Sequence, residues 1–342
     1  MDEPAGAAGN SSAGFDAFVV RRRGAEVTSG MEHLGVGDLP EGEVLVAVRW
    51  SAVNYKDGMV TRAGNRVARV SPLVPGVDLA GVVVASADPG LAPGTEVLAH
   101  GRDIGVGRHG GFAGLARVPA DWVLPLPDGL DLRQAMIVGT AGFTAALSVD
   151  ELERHGLAPD QGPVLVTGAA GGVGSLSVSL LARRGYEVVA STGRRAEAPW
   201  LEGLGATEVV GRDALEDDPD RVLGGERWAG AVDCVGGATL GRVLRTLRYG
   251  AAVAASGLTG GAELATTVYP FITRQVALLG VDSVRTPRAR RLEVWARLGG
   301  DLRPDHLEAL VDEEVTLGAV GEALGRVLDG KVRGRVLVRV AP

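Results

Sequence analysis

A glycine-rich run in the middle of the chain has the residue types and spacing of a turn that holds a diphosphate. Its residues are Gly168, Ala169, Ala170, Gly171, Gly172, Val173 and Gly174. A predicted strand over 163–167 precedes it and a predicted helix over 173–184 follows. Backbone N–H groups in such a turn can approach a pyrophosphate, and the helix N-terminus adds partial positive charge. The run therefore predicts a dinucleotide cofactor, with Gly174 allowing close packing of helix and strand.

Two features limit that prediction. A tight structural turn without a ligand is the alternative, and Ala169 stands where the common G-x-G-x-x-G form has its first glycine.

The end of the next predicted strand, 187–191, indicates which nicotinamide cofactor fits. NAD sites usually carry an acid there, which bonds the ribose 2′-hydroxyl. This chain has Thr192, Gly193 and Arg194 instead. A hydroxyl and an arginine suit a 2′-phosphate, so NADPH is predicted; the alternative is that Arg194 is an ordinary exposed residue at a helix start.

The cysteine and histidine content argues against a zinc site. A catalytic zinc needs about three Cys, His or carboxylate ligands, and a structural Cys₄ site needs four cysteines. Cys234 is the single cysteine and lies in a predicted buried strand. The five histidines show no ligand spacing, and most are predicted at the surface: His33, His100, His109, His155 and His306. No metal ligand is predicted.

The predicted elements around these residues divide the chain into two regions with different secondary-structure patterns. Short β-type segments punctuated by Pro and Gly fill residues 15–130, which is typical of a compact, barrel-like β domain. From a predicted helix over 131–155, with Asp131 as its N-cap, strands alternate with helices. That alternation predicts a doubly wound parallel sheet. A last strand, 335–340, is placed to rejoin the N-terminal domain.

Composition narrows the functional classes. The chain has 342 residues, enough for two domains, and a net charge of −7 with arginines and acids interspersed. The longest basic run, Arg21 to Arg23, is too short for a nucleic-acid footprint. Residues 1–14 are small and polar and are predicted to be a disordered leader, without the features of a secretory signal. No nucleic acid or membrane partner is predicted, and the expected location is the cytoplasm.

Five motifs together resemble the medium-chain dehydrogenase/reductase superfamily. In chain order they are Asn54-Tyr55-Lys56-Asp57, Pro75-Gly76-Val77-Asp78-Leu79-Ala80-Gly81, Gly139-Thr140-Ala141-Gly142-Phe143-Thr144-Ala145, the glycine-rich run, and Gly280-Val281-Asp282-Ser283. Within the superfamily the chain looks like the zinc-free quinone oxidoreductase branch, and it is most similar to the acrylyl-CoA reductase (AcuI/YhdH-type) group. Zinc-dependent relatives carry Gly-His-Glu where this chain has Gly76-Val77-Asp78.

The resemblance implies an α/β fold with two domains. A GroES-like β-barrel catalytic domain over 15–135 would precede a Rossmann NADP-binding domain over 136–300, and 301–342 would return to the catalytic domain. The active site would lie between the domains. Relatives pair through the Rossmann domain, so a homodimer is expected, with the predicted strand 277–282 as the pairing edge.

The resemblance also implies cofactor contacts that spacing alone does not reveal. Tyr55 would contact the nicotinamide end, Ala170 to Val173 the pyrophosphate, and Thr192, Gly193 and Arg194 the 2′-phosphate. Further cofactor-contacting positions are matched by Arg212, Leu258, Ile272, Ser283 and, less closely, Lys331.

Without a metal, the simplest chemistry is conjugate reduction of an activated carbon–carbon double bond. Hydride reaches the β-carbon, charge collects on the carbonyl oxygen, and the α-carbon takes a proton. Tyr55 is the candidate donor to that oxygen, with Asn54 and Asp57 orienting it or the substrate; alternatively, all three form a structural turn against the cofactor. A short enoyl thioester such as acryloyl-CoA is the first expected substrate and a quinone or enone the second. A non-catalytic NADPH sensor is the third reading.

Overall fold

The computed structural model describes residues 14–215 and 221–341, so the predicted leader lies outside the described residues apart from Gly14. A hairpin opens the described chain. Its strands, β1 Phe15–Arg23 and β2 Glu26–Leu34, pair over nine residues. The next elements are β3 Val44–Val53, α1 Tyr55–Val60, β4 Asp78–Ser86, β5 Glu96–His100, β6 Leu115–Val118 and β7 Leu124–Pro125.

One long helix joins the two halves of the molecule. This helix, α2 Leu132–Arg154, breaks at Gly139, whose φ of 49° and ψ of −157° are not helical. Asp131 accepts a hydrogen bond from the N–H of Gln134 at 2.7 Å, as an N-cap does. By length and composition α2 could cross a membrane, but 89% of its most apolar window is buried within the fold. It is therefore a core helix, packed on β3 and β4 on one side and on α3, defined below, on the other.

The elements after α2 build a six-stranded parallel sheet. They are β8 Val164–Thr167, α3 Gly172–Arg183, β9 Val188–Ser191, α4 Ala198–Gly203, β10 Glu208–Val210, β11 Trp228–Asp233, α5 Gly237–Thr246, β12 Leu247–Ala255, α6 Tyr269–Arg274, β13 Ala277–Gly280 and α7 Arg288–Gly299. The strand order is β10-β9-β8-β11-β12-β13. β8 and β9 are buried along their whole length, as strands covered on both faces must be. The order reverses between β8 and β11, which is where Rossmann folds bind dinucleotides.

The chain then returns to its first half. β14 Val311–Thr316, α8 Val320–Leu328 and β15 Arg335–Arg339 complete it. β15 pairs antiparallel with β3, with Val336 opposite Val53, so the sheet order is β14-β15-β3-β4-β5-β7. The predicted α/β fold class, a GroES-like β domain with a Rossmann sheet, is confirmed. The exact boundaries at 135/136 and 300/301 stay a prediction, because α2 runs through the first of them.

Candidate cofactor and active site

The carboxyl edge of the parallel sheet collects most of the predicted cofactor residues. The glycine-rich run follows β8, Thr192 to Arg194 follow β9, Arg212 follows β10, Leu258 follows β12 and Ser283 follows β13. Parallel strands end at one edge, so residues far apart in sequence share one crevice. Ile272 lies on α6, between β12 and β13, and Lys331 lies just before β15.

The glycine-rich run forms the close turn that its composition predicts. Gly168 has a φ of +60°, which favours glycine. A side chain on Gly174 would meet the carbonyl oxygen of Gly168 and come within 2.7 Å of the Cα of Ala169. Gly171 is the N-cap of α3, and no side chain caps that helix. The first N–H groups of α3 thus face the turn with no competing side chain, and the cradle fits a pyrophosphate.

The end of β9 carries no carboxylate, and its arginine is engaged in the fold. The guanidinium of Arg194 donates to the carbonyl oxygens of Ala170 at 2.8 Å, Val332 at 2.8 Å and Gly330 at 3.2 Å. The hydroxyl of the buried Thr192 accepts from the N–H of Arg194 at 3.1 Å. Arg194 is therefore half-buried and not the ordinary exposed residue of the alternative reading. Since a guanidinium has five N–H donors, some remain for a ligand.

Other cations flank this point. The side chain of Arg212 lies beside Gly193, because a Cβ built on Gly193 would stand 2.8 Å from its Nε. Arg195 is bound to Asp213 at 2.7 Å. Lys331 is exposed and pairs with Asp329 at 3.1 Å. A 2′-phosphate at the end of β9 would thus meet the side chains of Thr192 and Arg194, with Arg212 adjacent.

The remaining predicted cofactor positions differ in burial. Leu258 and Ile272 are 61% and 72% exposed, which is high for large apolar side chains. The carbonyl oxygen of the half-buried Ser283 accepts from Arg291 at 3.1 Å. The structure places Ser283 and the turn at the same sheet edge, but as cofactor contacts Ser283, Leu258 and Ile272 all stay predictions.

Tyr55 is the first residue of α1 and is 44% exposed. It lines a groove of about 370 Å³ whose other lining residues are Met59, Arg62, Ala63, Gly64, Asn65 and Leu328. The groove lies within the size range of small-molecule sites, about 300–1,000 Å³. Among the described residues no hydrogen bond links Tyr55 to Asn54 or Asp57, so neither orients its hydroxyl directly.

Asp57 is fully buried and serves the backbone. Its carboxylate accepts from the N–H groups of Asn54 at 2.9 Å, Gly76 at 3.1 Å and Val77 at 2.9 Å. Burial raises the pKa of this carboxyl to about 7, and the charge of Asp78 adds to the rise, while the three N–H donors oppose it. Asp57 thus holds the start of α1 against the loop that leads into β4.

Asn54 belongs to a buried network that the sequence did not reveal. Its side-chain amide donates to Asp78 at 2.8 Å, and its oxygen accepts from Arg335 at 3.1 Å. Asp78 also accepts from the N–H of Thr140 at 2.9 Å and from its hydroxyl at 2.6 Å. Arg335 further donates to the carbonyl oxygen of Ile137 at 3.0 Å. Asp78 and Thr140 lie in motifs that carried the resemblance, but no sequence signal pointed to Arg335.

Most of the five histidines are predicted at the surface, and His100 is an exception. It is fully buried at the end of β5, whereas His33, His155 and His306 are exposed as predicted. Trp295 of α7 donates to its Nε2 at 2.9 Å, so the Nδ1 of the neutral ring carries the proton, 3.4 Å from the hydroxyl of Thr140. Burial, with the charges of Arg291 and Arg102, lowers its pKa well below the usual value. His100 is a neutral link between the two halves of the molecule.

Over residues 14–215 and 221–341, no three His, Cys, Asp or Glu side chains come close enough together to hold a metal ion. At the position of the Gly-His-Glu triplet, Val77 is buried and apolar, and Asp78 is committed to Asn54, Thr140 and Arg335.

Two family models match this chain, one in each half. The model described as alcohol dehydrogenase GroES-like domain matches residues 40–128, and the model described as zinc-binding dehydrogenase matches residues 172–297. Together they cover most of both halves and leave the return segment unmatched.

Whole-length relatives agree with this architecture. The acrylyl-CoA reductase AcuI of Ruegeria pomeroyi is 51% identical over 95% of this chain and 99% of its own. YhfP of Bacillus subtilis, provisionally named a quinone oxidoreductase, is 48% identical over 95% of this chain and 99% of its own. Its structure with NAD bound has a TM-score of 0.94, covering 96% of this chain and 100% of that one. The yhdH oxidoreductase of Salmonella enterica, solved with NADP, is 44% identical with a TM-score of 0.91, covering 95% and 100%. The chain therefore belongs to the medium-chain dehydrogenase/reductase superfamily, in the group of the AcuI acrylyl-CoA reductases.

Proposed function

We propose that the chain is an NADPH-dependent reductase of short enoyl thioesters, with acryloyl-CoA as the first substrate to test. The observation that carries the cofactor assignment is the end of β9, where Thr192 and Arg194 stand without a carboxylate. The substrate class is supported by the 51% identity with an acrylyl-CoA reductase along nearly the whole chain.

The residues present at the sheet edge fit a dinucleotide. Ala170 to Val173 would face its pyrophosphate, Thr192 and Arg194 its 2′-phosphate, and Tyr55 its nicotinamide end. When bound, the reduced nicotinamide supplies a hydride to the β-carbon of the double bond. The displaced π electrons move onto the thioester carbonyl oxygen, where the hydroxyl of Tyr55 can donate a hydrogen bond. The α-carbon then takes a proton from solvent.

Asn54 and Asp57 act as positioning residues in this proposal. Neither bonds Tyr55 among the described residues, but both hold the backbone from which it projects. Asn54, the residue before Tyr55, is hydrogen-bonded to Asp78 and Arg335. Asp57 accepts a hydrogen bond from the N–H of Asn54 and so fixes the first turn of α1. Their substitution should lower the turnover number by misplacing the Tyr55 hydroxyl.

A quinone or enone reductase is the second candidate, because YhfP carries a quinone oxidoreductase name. A non-catalytic NADPH sensor is disfavoured, since Tyr55 is present and exposed in a groove. The test is loss of NADPH absorbance with acryloyl-CoA, crotonyl-CoA and a benzoquinone in parallel. Fastest turnover of acryloyl-CoA supports the proposal. Turnover of benzoquinone alone supports the second candidate, and no turnover of any substrate supports the sensor.

The proposed reduction proceeds without zinc. Val77 offers no ligand, and the carboxylate of Asp78 is bound by Arg335. Activity should survive exhaustive chelation, and elemental analysis should find no stoichiometric zinc. Activity that disappears with a chelator and returns with added zinc would overturn this part of the proposal.

We further propose a soluble, cytoplasmic homodimer that binds neither nucleic acid nor membrane. The support for pairing is β13, an edge strand whose Leu278 is 39% exposed; Tyr269 and Ile272 of the preceding helix α6 are exposed as well. An open apolar edge invites pairing with another strand. Light scattering at micromolar concentration should give twice the chain mass of 35.1 kDa, and Leu278→Lys should shift it toward the monomer. A monomeric mass for the unmodified protein contradicts the dimer.

A further inference from the structure

The groove beside Tyr55 has a charge pattern that the reduction step itself does not require. We infer that this groove binds the pantetheine arm of a CoA thioester and that Arg62 and Arg66 bind its phosphate groups. The inference rests on the proposed function and deepens it, because it gives the chain a way to distinguish a CoA thioester from a quinone.

The walls of the groove suit an extended, mostly apolar chain. Met59 and Leu328 line it beside the ring of Tyr55. Leu328 is held in place by close packing of α8 on α1, since a Cβ on Gly58 would come within 2.7 Å of the Cγ of Leu328. The groove is thus a fixed surface between two helices, and it begins at the residue proposed to contact the reacting carbonyl.

Apart from Tyr55 and Arg62, the groove has one polar lining side chain, that of Asn65, and its hydrogen bonds are made within the loop. The side-chain oxygen of Asn65 accepts from the N–H groups of Val67 at 3.1 Å and Ala68 at 3.0 Å. Its amide donates to the carbonyl oxygens of Val60 at 3.1 Å and Arg62 at 2.6 Å. Asn65 therefore fixes the backbone that carries Arg62 and Arg66, and it leaves the binding of a charged ligand to those arginines.

Three cations between residues 56 and 66 have side chains without a protein partner. Lys56, Arg62 and Arg66 are exposed, and no hydrogen bond or ion pair joins their side chains to any other described residue. Arg69, by contrast, is paired with Asp103. The one acid between residues 56 and 69 is the buried Asp57. In a chain with a net charge of −7, a rim of free cations next to the groove is a local excess of positive charge.

A CoA thioester supplies the matching charge. Its adenosine part carries a diphosphate and a 3′-phosphate, and arginine binds phosphate through paired N–H donors. Benzoquinone carries no anionic group, so these arginines would give it no added affinity. Rim cations also raise the encounter rate with an anionic substrate, an effect that salt screens.

The test compares two thioesters that share the reacting end. Acryloyl-CoA carries the phosphates, and acryloyl-pantetheine does not. In the unmodified protein the ratio of their kcat/KM values should favour acryloyl-CoA. Arg62→Glu and Arg66→Glu should each lower that ratio about tenfold or more, the scale of one lost charge-assisted hydrogen bond. Arg62→Gln should give a smaller fall in the same direction.

Arg339→Glu is the matched control. Arg339 is exposed at the end of β15, outside the groove lining, and its reversal changes net charge equally. It should leave the ratio unchanged, and NADPH affinity should hold in all variants. Rising ionic strength should increase KM for acryloyl-CoA but not for acryloyl-pantetheine.

The outcomes separate the two levels of the proposal. If acryloyl-CoA is not reduced by the unmodified protein, the proposed function fails. If it is reduced but Arg62→Glu and Arg66→Glu match Arg339→Glu, the function stands and the phosphate subsite is overturned. Equal losses for both thioesters also overturn the subsite, because they show damage to the Tyr55 loop.

Discussion

Arg335 and Asp78 form a buried ion pair across 257 residues of sequence, with Nη2 of Arg335 3.3 Å from Oδ2 of Asp78. Their side chains are 2% and 0% exposed. The pair joins β15, the last strand, to the start of β4. Arg335 also bonds the carbonyl oxygen of Ile137, two residues before the break of α2 at Gly139. The guanidinium of Arg335 thus holds together β15, the start of β4 and α2.

Arg335→Met should therefore destabilise the protein strongly. Removing one member of a buried pair leaves the other charge uncompensated, at a typical cost of about 3–5 kcal/mol. Denaturant unfolding should show this loss. Arg339→Met, on the exposed end of the same strand, should change the unfolding free energy by less than about 0.5 kcal/mol. Similar stability of the two variants would mean that the pair is not a clamp.

Tyr55→Phe tests the proposed catalytic hydroxyl. If the hydroxyl stabilises the enolate, kcat should fall about ten- to a thousandfold, the range for one lost donor. NADPH affinity should remain nearly constant, because the ring stays in place. Tyr55→Ala should weaken NADPH binding as well. An unimpaired Phe variant would assign the donor role to a backbone amide or water.

Arg194→Ala tests the cofactor preference. NADPH affinity should fall by about 1.5–3 kcal/mol, as for a lost charge-assisted hydrogen bond. NADH affinity should barely change, because NADH has no 2′-phosphate. Arg194→Lys should restore little, since one ammonium cannot reach the carbonyl oxygens of Ala170 and Val332 and a phosphate together. Fluorescence titration measures the affinities of the unmodified protein and of both variants for the two cofactors, and equal affinity of the unmodified protein for both cofactors refutes the assignment.

The raised pKa of Asp57 should make the free energy of unfolding decrease as pH rises. Its pKa of about 7 in the folded protein exceeds the usual value of 3.8. Between these values the folded chain retains a proton that the unfolded chain has lost. The contribution of Asp57 to the unfolding free energy is therefore full below pH 3.8 and falls, by a few kcal/mol at most, as pH rises to about 7.

Asp57→Asn should remove this slope, and denaturant unfolding at several pH values measures it. The comparison with the unmodified protein is needed because His100 acts in the opposite sense. Its lowered pKa means that the unfolded chain binds a proton more readily below about pH 6.5, so its contribution rises with pH. Identical slopes for the variant and the unmodified protein would contradict the raised pKa of Asp57.

Gly174→Ala should damage the turn that holds the pyrophosphate. The new methyl group would overlap the backbone of Gly168 and Ala169, so the turn must open. Thermal stability and NADPH affinity should both fall. Gly325→Ala is the matched control, because that helical glycine of α8 has nothing within 4 Å of a new Cβ. It should stabilise by about 0.5–1 kcal/mol. A stable Gly174→Ala variant with full NADPH affinity would contradict the turn geometry.

The strands of the βα series, together with α3 and α4, could be predicted because the strands are continuous apolar runs next to punctuating glycines. The predicted helix over 131–155 matches α2, Leu132–Arg154, because Asp131 and Gln134 form a local cap. Elements without such local signals were missed. β2 is largely exposed and polar, and it exists because every residue pairs with β1. The helices α1, α5, α6 and α7 were also not predicted; α7, for example, carries four arginines that obscure its apolar face of Val294, Trp295 and Leu298.

The cofactor turn follows from local spacing, whereas the network around Asn54 does not. Asp78, His100 and Arg335 meet only because β4, β5 and β15 are brought together by the fold. Arg335 begins β15, where two valines and a leucine follow it, and nothing in this stretch of sequence indicates which residue it pairs with. Burial makes such pairing obligatory, but which acid pairs with it depends on the tertiary fold.

The return of β15 to β3 affects the order in which the protein can form during synthesis. β3 leaves the ribosome long before its neighbour β15, because most of the described chain separates the two strands. The parallel sheet from β8 to β13 is complete well before that moment, so the nucleotide-binding half can fold first. Until β15 has been released, residues 50–53 of β3 lack their partner strand, and the nascent chain is exposed to mispairing there. A ribosome that stalls before residue 335 would leave a finished nucleotide-binding half attached to an unfinished catalytic one.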